Sequence, residues 1–328
     1  LAAGLGTRLK PLTDNRPKAL VELSGRTLLE ITLTRLRAFG ITEVIINVHH
    51  FAGQVIDYLQ SHKNFNMRIE VSREDVLLDT GGGLKKAAWF FLEDSTRPSS
   101  HRGDSAHPDS AQMDEPFLLH NVDVISTIDF TRMLQFHTEN HALATLAVQS
   151  RESSRYLLFD DSLQLRGRRT SGTPDSGTAI PGCVPQITAT QNQSATASPP
   201  AQQVSSPVIP SAARNLLLPR EGKASEPADT PANCHSERRE ESAFSDSQTR
   251  HSQSLHALAF SGIHLISPRL LPLLTEEGVF SIIPSYLRLA AQGEKILAFR
   301  ADQYYWRDLG RPADLAQAAL DLQQKALL

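Results

Sequence analysis

Leu1-Ala2-Ala3-Gly4-Leu5-Gly6-Thr7-Arg8, with Pro17-Lys18 after eight intervening residues, decides how this chain is read. Small residues at Ala2 and Ala3 close a predicted strand. Gly4 and Gly6 then let the backbone turn with positive φ and approach a ligand closely, because neither carries a Cβ. The exposed N–H groups of such a loop form an anion-binding concavity. Arg8 adds a planar fork of donors and Lys18 a point charge, a pair suited to a polyphosphate. Pro11 and Pro17 stiffen the arm that carries Lys18. Two familiar phosphate motifs are excluded. A Rossmann fingerprint needs glycine three residues after Gly6, where Leu9 stands, and a P-loop needs Gly-Lys-Ser/Thr, which does not occur.

At 328 residues and 36.1 kDa the chain can bury a sizeable core, as one large domain or two. A net charge of −3 argues against a general nucleic-acid binder. The only cysteines are Cys183 and Cys234, both in a polar tract, so neither a disulfide framework nor a zinc cluster is expected. No apolar run approaches the ~20 residues of a membrane span, and no signal peptide is recognisable. The chain opens on Leu1 inside a strand that should start earlier, which reads as a cytoplasmic protein truncated at its N-terminus.

Strand patterns at 44–48, 68–71 and 117–120 alternate with helical periodicity at 27–39, 54–61 and 130–138. A further helix is expected at 82–92, after a Gly81-Gly82-Gly83 turn. Such alternation implies a three-layer, Rossmann-like α/β/α fold with a mostly parallel mixed sheet. Ligands in such folds sit at the carboxyl ends of strands, where Gly4–Gly6 and Asn121-Val122-Asp123 both fall. Strands at 142–149 and 156–159 follow. From about Arg166 to His256, Ser, Thr, Pro, Gln and Ala dominate and apolar periodicity disappears, a composition that reads as disordered. Residues 95–114 form a shorter polar loop, with Arg102-Gly103-Asp104 a chance tripeptide. The expected organisation is therefore 1–165 as the first part of one domain, 166–256 as an insertion dispensable for folding from about Arg168 to Ser254, and 257–328 as the second part. The second part reads as a strand from Leu258, helices at 270–274 and 282–291, strands at 296–299 and 304–306, and a closing helix at 314–324.

Asp123 lies just past one buried strand, and Asp308, in Trp306-Arg307-Asp308-Leu309-Gly310, just past a late one. Each alone reads as a cap, Asp123 on a turn and Asp308 on the helix near Pro312. Beside the phosphate loop the pair reads as a Mg²⁺ site, since Mg²⁺ takes few protein carboxylates and fills its shell with phosphate oxygens and water. His49-His50 point to opposite sides of an extended chain and do not chelate together. Trp89-Phe90-Phe91 reads as a helix face packed on the sheet.

The spacing G-x-G-T-R-x8-P-K at a strand end resembles the signature of the bacterial sugar-1-phosphate nucleotidyltransferases, near the N-acetylmuramate-1-phosphate uridylyltransferases and mannose-1-phosphate guanylyltransferases. LLDTGGG at Leu77–Gly83, PFLLHNVDV at Pro116–Val124, SRYLLFD at Ser154–Asp160, FSGI at Phe260–Ile263 and YWRDLG at Tyr305–Gly310 extend the likeness. The resemblance implies Mg²⁺-dependent attack of a sugar 1-phosphate on the α-phosphorus of a nucleoside triphosphate, giving an NDP-sugar and pyrophosphate. By that resemblance Arg8 holds the β,γ-phosphates, Lys18 neutralises charge at the α-phosphate, and Asp123 and Asp308 bind the metal. It assigns the nucleotide to Ala2, Ala3, Gly4, Gly6 and Thr7 with Asp79, Thr80, Gly81 and Gly82, and the sugar phosphate to Asn121, Ser261 and Gly262. Leu77–Gly83 leans towards the uridylyl branch. Val122 stands where the family has glycine and is expected to add bulk beside the metal. Arg311 replaces a frequent threonine or lysine, and the long tract replaces a short hairpin near the acceptor. Those departures motivate an alternative, a degenerate nucleotide-sugar binding or regulatory protein.

Overall fold

Thr27 shows how local sequence starts an element: its Oγ1 accepts from the Glu30 amide at 3.0 Å and caps α1, Leu28–Ala38. Leu28, Leu29, Ile31, Leu33 and Leu36 bury one face of this helix, and Gly40 at φ 80° turns the chain out of it. Just before it, β1 (Glu22–Leu23) and β2 (Arg26–Thr27) form a hairpin whose two loop residues, Ser24 and Gly25, are both left-handed. The computed structural model describes residues 1–92, 115–171, 178–179 and 254–325. All belong to one compact unit, Leu1–Thr188 with Ser252–Leu328; Ala189–His251, the other unit, lies outside the described residues, as do Cys183, Cys234 and Arg102-Gly103-Asp104.

β3 (Glu43–Val48) and β4 (Arg68–Arg73) pair in parallel across α2 (Ala52–Ser61). After α3 (Asp79–Lys86) and α4 (Ala88–Leu92) come β5 (Phe117–His120), β6 (Val124–Ser126) and α5 (Phe130–Glu139), the last capped by Asp129. There follow β7 (Ala144–Gln149), β8 (Arg155–Phe159), β9 (Leu165–Thr170), β10 (Thr178–Ala179) and the long β11 (His256–Ile266). The chain ends through α6 (Ile282–Ala291), β12 (Ile296–Arg300), β13 (Trp306–Asp308) and α7 (Pro312–Lys325), which has proline at its first position.

The main sheet is built on β11. It runs antiparallel to β7 along one edge and to β8 and then β5 along the other, while β12 lies parallel to β7. β5, β7 and β12 therefore share one direction, and β9 and β10 extend the sheet beyond β8. Leu1 donates to the His120 carbonyl, and Val122 donates to the Leu1 carbonyl. Bonds flanking one residue in this way are the parallel ladder pattern. All six residues of β7 are buried, as in a strand covered on both faces. Leu146 and Val148 join Tyr286 and Leu289 of α6 on one side, whereas Ala147 joins residues of α1, α5 and α7 on the other. This is the expected layered α/β fold with a mixed sheet.

Several local expectations change. α3 starts at Asp79, so Gly81, Gly82 and Gly83 lie inside a helix and are not the turn before one. A Cβ on Gly81 would sit 2.3 Å from the Phe280 ring, and one on Gly82 would sit 2.4 Å from the Gly278 carbonyl. Tertiary packing therefore demands glycine where helix propensity disfavours it. The 304–306 strand is shifted to β13, and 270–274 falls in a 3₁₀ turn, Pro268–Leu273. β9 continues to Thr170 and pairs Arg168 with Leu157, so a deletion starting at Arg168 would cut a paired strand. Phe91 stacks on Phe117 at 3.8 Å, but Trp89 at 38% exposure faces outward from the short α4. His49 Nδ1 meets the Glu74 carbonyl and His50 packs on Phe51, so the two do not share a ligand.

Gly81→Ala gains about 1 kcal/mol of helix propensity, but overpacking against Phe280 costs about 1–3 kcal/mol. The variant should melt lower, and a higher melting temperature would refute the packing account. His120 and His264, at 7% and 1% exposure, are both lowered by burial to a pKa of about 3. The unfolded chain binds these protons near pH 6.5 and the folded chain does not, so stability is full above that value and falls towards pH 3. The slope is about 1.4 kcal/mol per pH unit for each histidine. Urea unfolding at pH 7.5 and 5.5 measures it. The His120 ring makes no side-chain hydrogen bond among the described residues and only a weak backbone contact at Asn121, so His120→Leu should reduce the slope with little loss of stability at pH 7.5.

Candidate active site

The glycine loop is held from below and open above. Leu9 is fully buried and its amide closes a 3₁₀ turn, Thr7–Leu9, on the Gly6 carbonyl, which also accepts from Thr13 Oγ1 at 2.8 Å. Gly6 is left-handed at φ 64°, and a Cβ there would lie 2.9 Å from Thr13 Cγ2 and 3.2 Å from Lys18 Cβ. Only glycine lets the arm carrying Lys18 fold against the loop. Gly4 does not share this need: its φ is not positive and its Cβ direction is open. Ala2 and Ala3 are buried in irregular backbone, and Gly4, Leu5, Thr7 and Arg8 are exposed.

β6 and β13 pair antiparallel with Val124 opposite Asp308, and Leu309 N–H donates to the Asp123 carbonyl at 2.8 Å. This short ladder brings together two aspartates far apart in sequence. Lys18 Nζ pairs with Asp123 Oδ2, their side chains only 12% and 15% exposed. Burial, and then the Asp123 charge, push the Asp308 carboxyl above the usual carboxylate range, while Lys18 and Arg8 pull it down. Its Oδ1 accepts from Gly310 N–H at 2.7 Å, so Asp308 closes its own turn and does not cap α7. A Cβ on Gly310 would lie 2.6 Å from Arg8 Nη2 and 2.7 Å from Asp308 Oδ1. That glycine leaves room for the guanidinium beside the carboxylate. Arg8, Lys18, Asp123 and Asp308 thus meet at the carboxyl end of β5. Among the described residues no group of three or more His, Cys, Asp and Glu is placed to hold a metal. Two carboxylates fit a hard cation that takes its remaining ligands from phosphate and water.

A bulge in β11 ties this corner together. Between Phe260 and His264 the strand spans four residues against two on β7, and bulges of this kind re-aim groups beside sites. Phe260 O accepts from Arg151 Nη2 at 2.7 Å, Ser261 O from Trp306 Nε1 at 2.7 Å, and Gly262 O from Asn121 N–H at 3.1 Å. The Ser261 side chain is fully buried and its hydroxyl has no partner among the described residues, so it does not face the cleft as expected. Gly262 is also buried at φ 74°, with a Cβ position 3.0 Å from Asn121 Nδ2, while Asn121 is half-buried. Arg151 was not singled out by its sequence. Its guanidinium lies 3.7 Å from the centroid of the Trp306 ring, a contact worth about 0.5–2 kcal/mol. The only cue was its place two residues after a largely apolar strand, much as Asp123 follows β5.

The α3 residues fall into two groups. Asp79 is exposed with φ 60°, and Thr80 Oγ1 accepts from Ile282 N–H at 3.0 Å. Gly81 and Gly82 donate their amides to the Phe280 carbonyl at 2.9 and 3.1 Å and are buried. Those N–H groups are not open to a nucleotide, contrary to expectation. Val122 is buried in the apolar cluster with Leu9 and Ile125. Arg311 is exposed, and its carbonyl accepts the first amides of α7.

Residues 1–158 match the family model described as nucleotidyl transferase. The N-acetylmuramate alpha-1-phosphate uridylyltransferase of Caulobacter vibrioides is 49% identical over 90 residues, 26% of this chain and 37% of that protein. A mannose-1-phosphate guanyltransferase of Emericella nidulans is 30% identical over 158 residues, 48% of this chain and 38% of that protein. The chain thus spans less than two fifths of the length of these relatives. HddC from Yersinia pseudotuberculosis, solved with GMP-PN, superposes with a TM-score of 0.57 at 15% identity, covering 98% of this chain and 96% of that one. UDP-glucose pyrophosphorylase with UDP-glucose superposes at 0.59 and 12% identity, covering 99% and 97%. These likenesses extend the common fold beyond residues 1–158, the segment, just under half of the chain, that matches the nucleotidyl transferase model.

Proposed function

We propose that this protein transfers a nucleotidyl group from a nucleoside triphosphate to a sugar 1-phosphate, releasing pyrophosphate. The observation that carries the reading is the meeting of Arg8 and Lys18 of the N-terminal loop with Asp123 and Asp308, three segments far apart in sequence, beside an open glycine loop. A phosphate oxygen of the acceptor forms the new bond to the α-phosphorus, and the bond from that phosphorus to the β-phosphate oxygen breaks. The acceptor is already anionic, so no general base is needed. The residues align two polyanions and offset the charge of the transition state.

In this reading Lys18 faces the α-phosphate and Arg8 the β,γ-phosphates. The Gly4–Arg8 backbone, with Asp79 and Thr80, frames the nucleotide, and Asn121 lies towards the acceptor. Asp123 and Asp308 would hold Mg²⁺, which when bound neutralises phosphate oxygens. Both uridylyl- and guanyltransferases occur among the relatives, and Leu77–Gly83 favours uridylyl. No helix among the described residues is long and apolar enough to cross a membrane, and we place the reaction in the cytoplasm. Burial of Val122 in the core removes one motive for a degenerate protein.

A matrix of nucleoside triphosphates against sugar 1-phosphates, read by pyrophosphate release with Mg²⁺, tests the reaction; a folded full-length protein inactive with every pair would defeat it. Lys18→Ala should lower kcat by roughly 10²–10³ while changing KM little, because the cation acts mainly on the transition state. Asp123→Asn should instead raise the Mg²⁺ concentration needed for half-maximal rate. Near wild-type turnover of Lys18→Ala would remove this lysine from the phosphate site.

A further inference from the structure

We propose that Arg151, parked on Trp306, is the cation that receives the phosphate of the acceptor, an inference that rests on the nucleotidyl-transfer reading. β5 and β7 run in the same direction. Arg151, two residues past β7, therefore emerges at the same sheet edge as Asp123, three residues past β5. Side chains alternate along β13, so Trp306 and Asp308 share a face. Arg307 instead reaches Asp321 of α7 at 3.0 Å. Arg151 thus lies on the face that carries the metal-type carboxylate, and Asp308 is its main charge partner.

The guanidinium is anchored but not used up. One N–H donates to the Phe260 carbonyl and the ring of Trp306 supports its plane, while Nε is buried without a partner among the described residues. A half-buried cation with open donors and no direct salt bridge among the described residues is incomplete unless an anion joins it. A planar fork matches a phosphate monoester, whose three terminal oxygens accept side by side. Arg8 approaches Asp308 from the glycine loop beside Gly310. Arg151 approaches from the strand wall built by β7, β11 and β13. The two cations therefore come from different walls, which fits one for each of the two phosphorylated substrates.

The test uses the full chain. In Trp89→Phe the remaining tryptophan is Trp306, and its emission is titrated with inorganic phosphate. A saturable change that disappears on adding Arg151→Gln is expected. With an active substrate pair, Arg151→Gln should raise KM for the sugar 1-phosphate roughly 10–100-fold, while KM for the triphosphate moves less than about threefold. Arg151→Lys, which keeps the charge but loses the fork, should recover part of the loss and carries the comparison should the glutamine variant not fold. Unchanged KM values in a folded variant, an effect on the triphosphate alone, or a phosphate response independent of Arg151 would overturn the proposal. Turnover with an unaffected acceptor KM defeats this proposal and leaves nucleotidyl transfer standing. An Arg151-dependent phosphate response in a protein inactive with every substrate pair does the reverse.

Discussion

Two carboxylates held close together are the constraint around which this corner of the molecule is built. Asp123 and Asp308 repel each other, and Asp308 is further disfavoured as an anion by burial. Left to themselves such groups separate or take up a proton. They stay together because their backbones are locked by the β6–β13 ladder and the Leu309-to-Asp123 bond, and because Lys18 sits on one of them. The chain thus spends stability on a charge arrangement that packing alone would not select. Such local conflicts point to function.

The glycines around this corner serve steric ends that differ in kind. Gly6 must be left-handed so that the loop reverses over Thr13 and Lys18. Gly310 must lack a Cβ so that Arg8 and Asp308 can share its space. Gly81 and Gly82 instead admit Phe280 and Gly278 against α3. The first two shape the cleft directly, whereas the last two fix a wall and spend their amides on it. Sequence proximity to a phosphate-like motif does not separate these cases; contact with a distant segment does.

What could be read in advance follows the same division. Strands and helices with strong periodicity, such as β3, α1, β7 and α6, were legible because burial of one or two faces imposes their pattern. The charged residues were legible because a loop that turns on Gly6 and carries Arg8 and Lys18 has few other uses. Arg151 was not, since a single arginine after a strand has no spacing of its own, and its meaning comes from the β11 bulge and Trp306. The buried Ser261 hydroxyl and the occupied amides of Gly81 and Gly82 were hidden for a similar reason. Their environments are made by partners between about 45 and 200 residues away.

The two sides of the cleft differ in how firmly they are set. On the strand side, three carbonyls released by the β11 bulge each hold a different piece: Arg151, Trp306 and the Asn121 backbone. On the other side Gly4, Leu5, Thr7 and Arg8 are exposed, and the loop is anchored mainly through Leu9 and the Gly6 carbonyl. A site that aligns two anions gains most when one is received on a preformed surface, because orientation lost to side-chain freedom must otherwise be recovered at the transition state. In the proposed reading the second anion meets the glycine loop, most of whose residues are exposed. In the proposed transfer between two phosphorylated partners, the strand side held by the bulge carbonyls would face the glycine loop, with the carboxylate pair at the boundary between them.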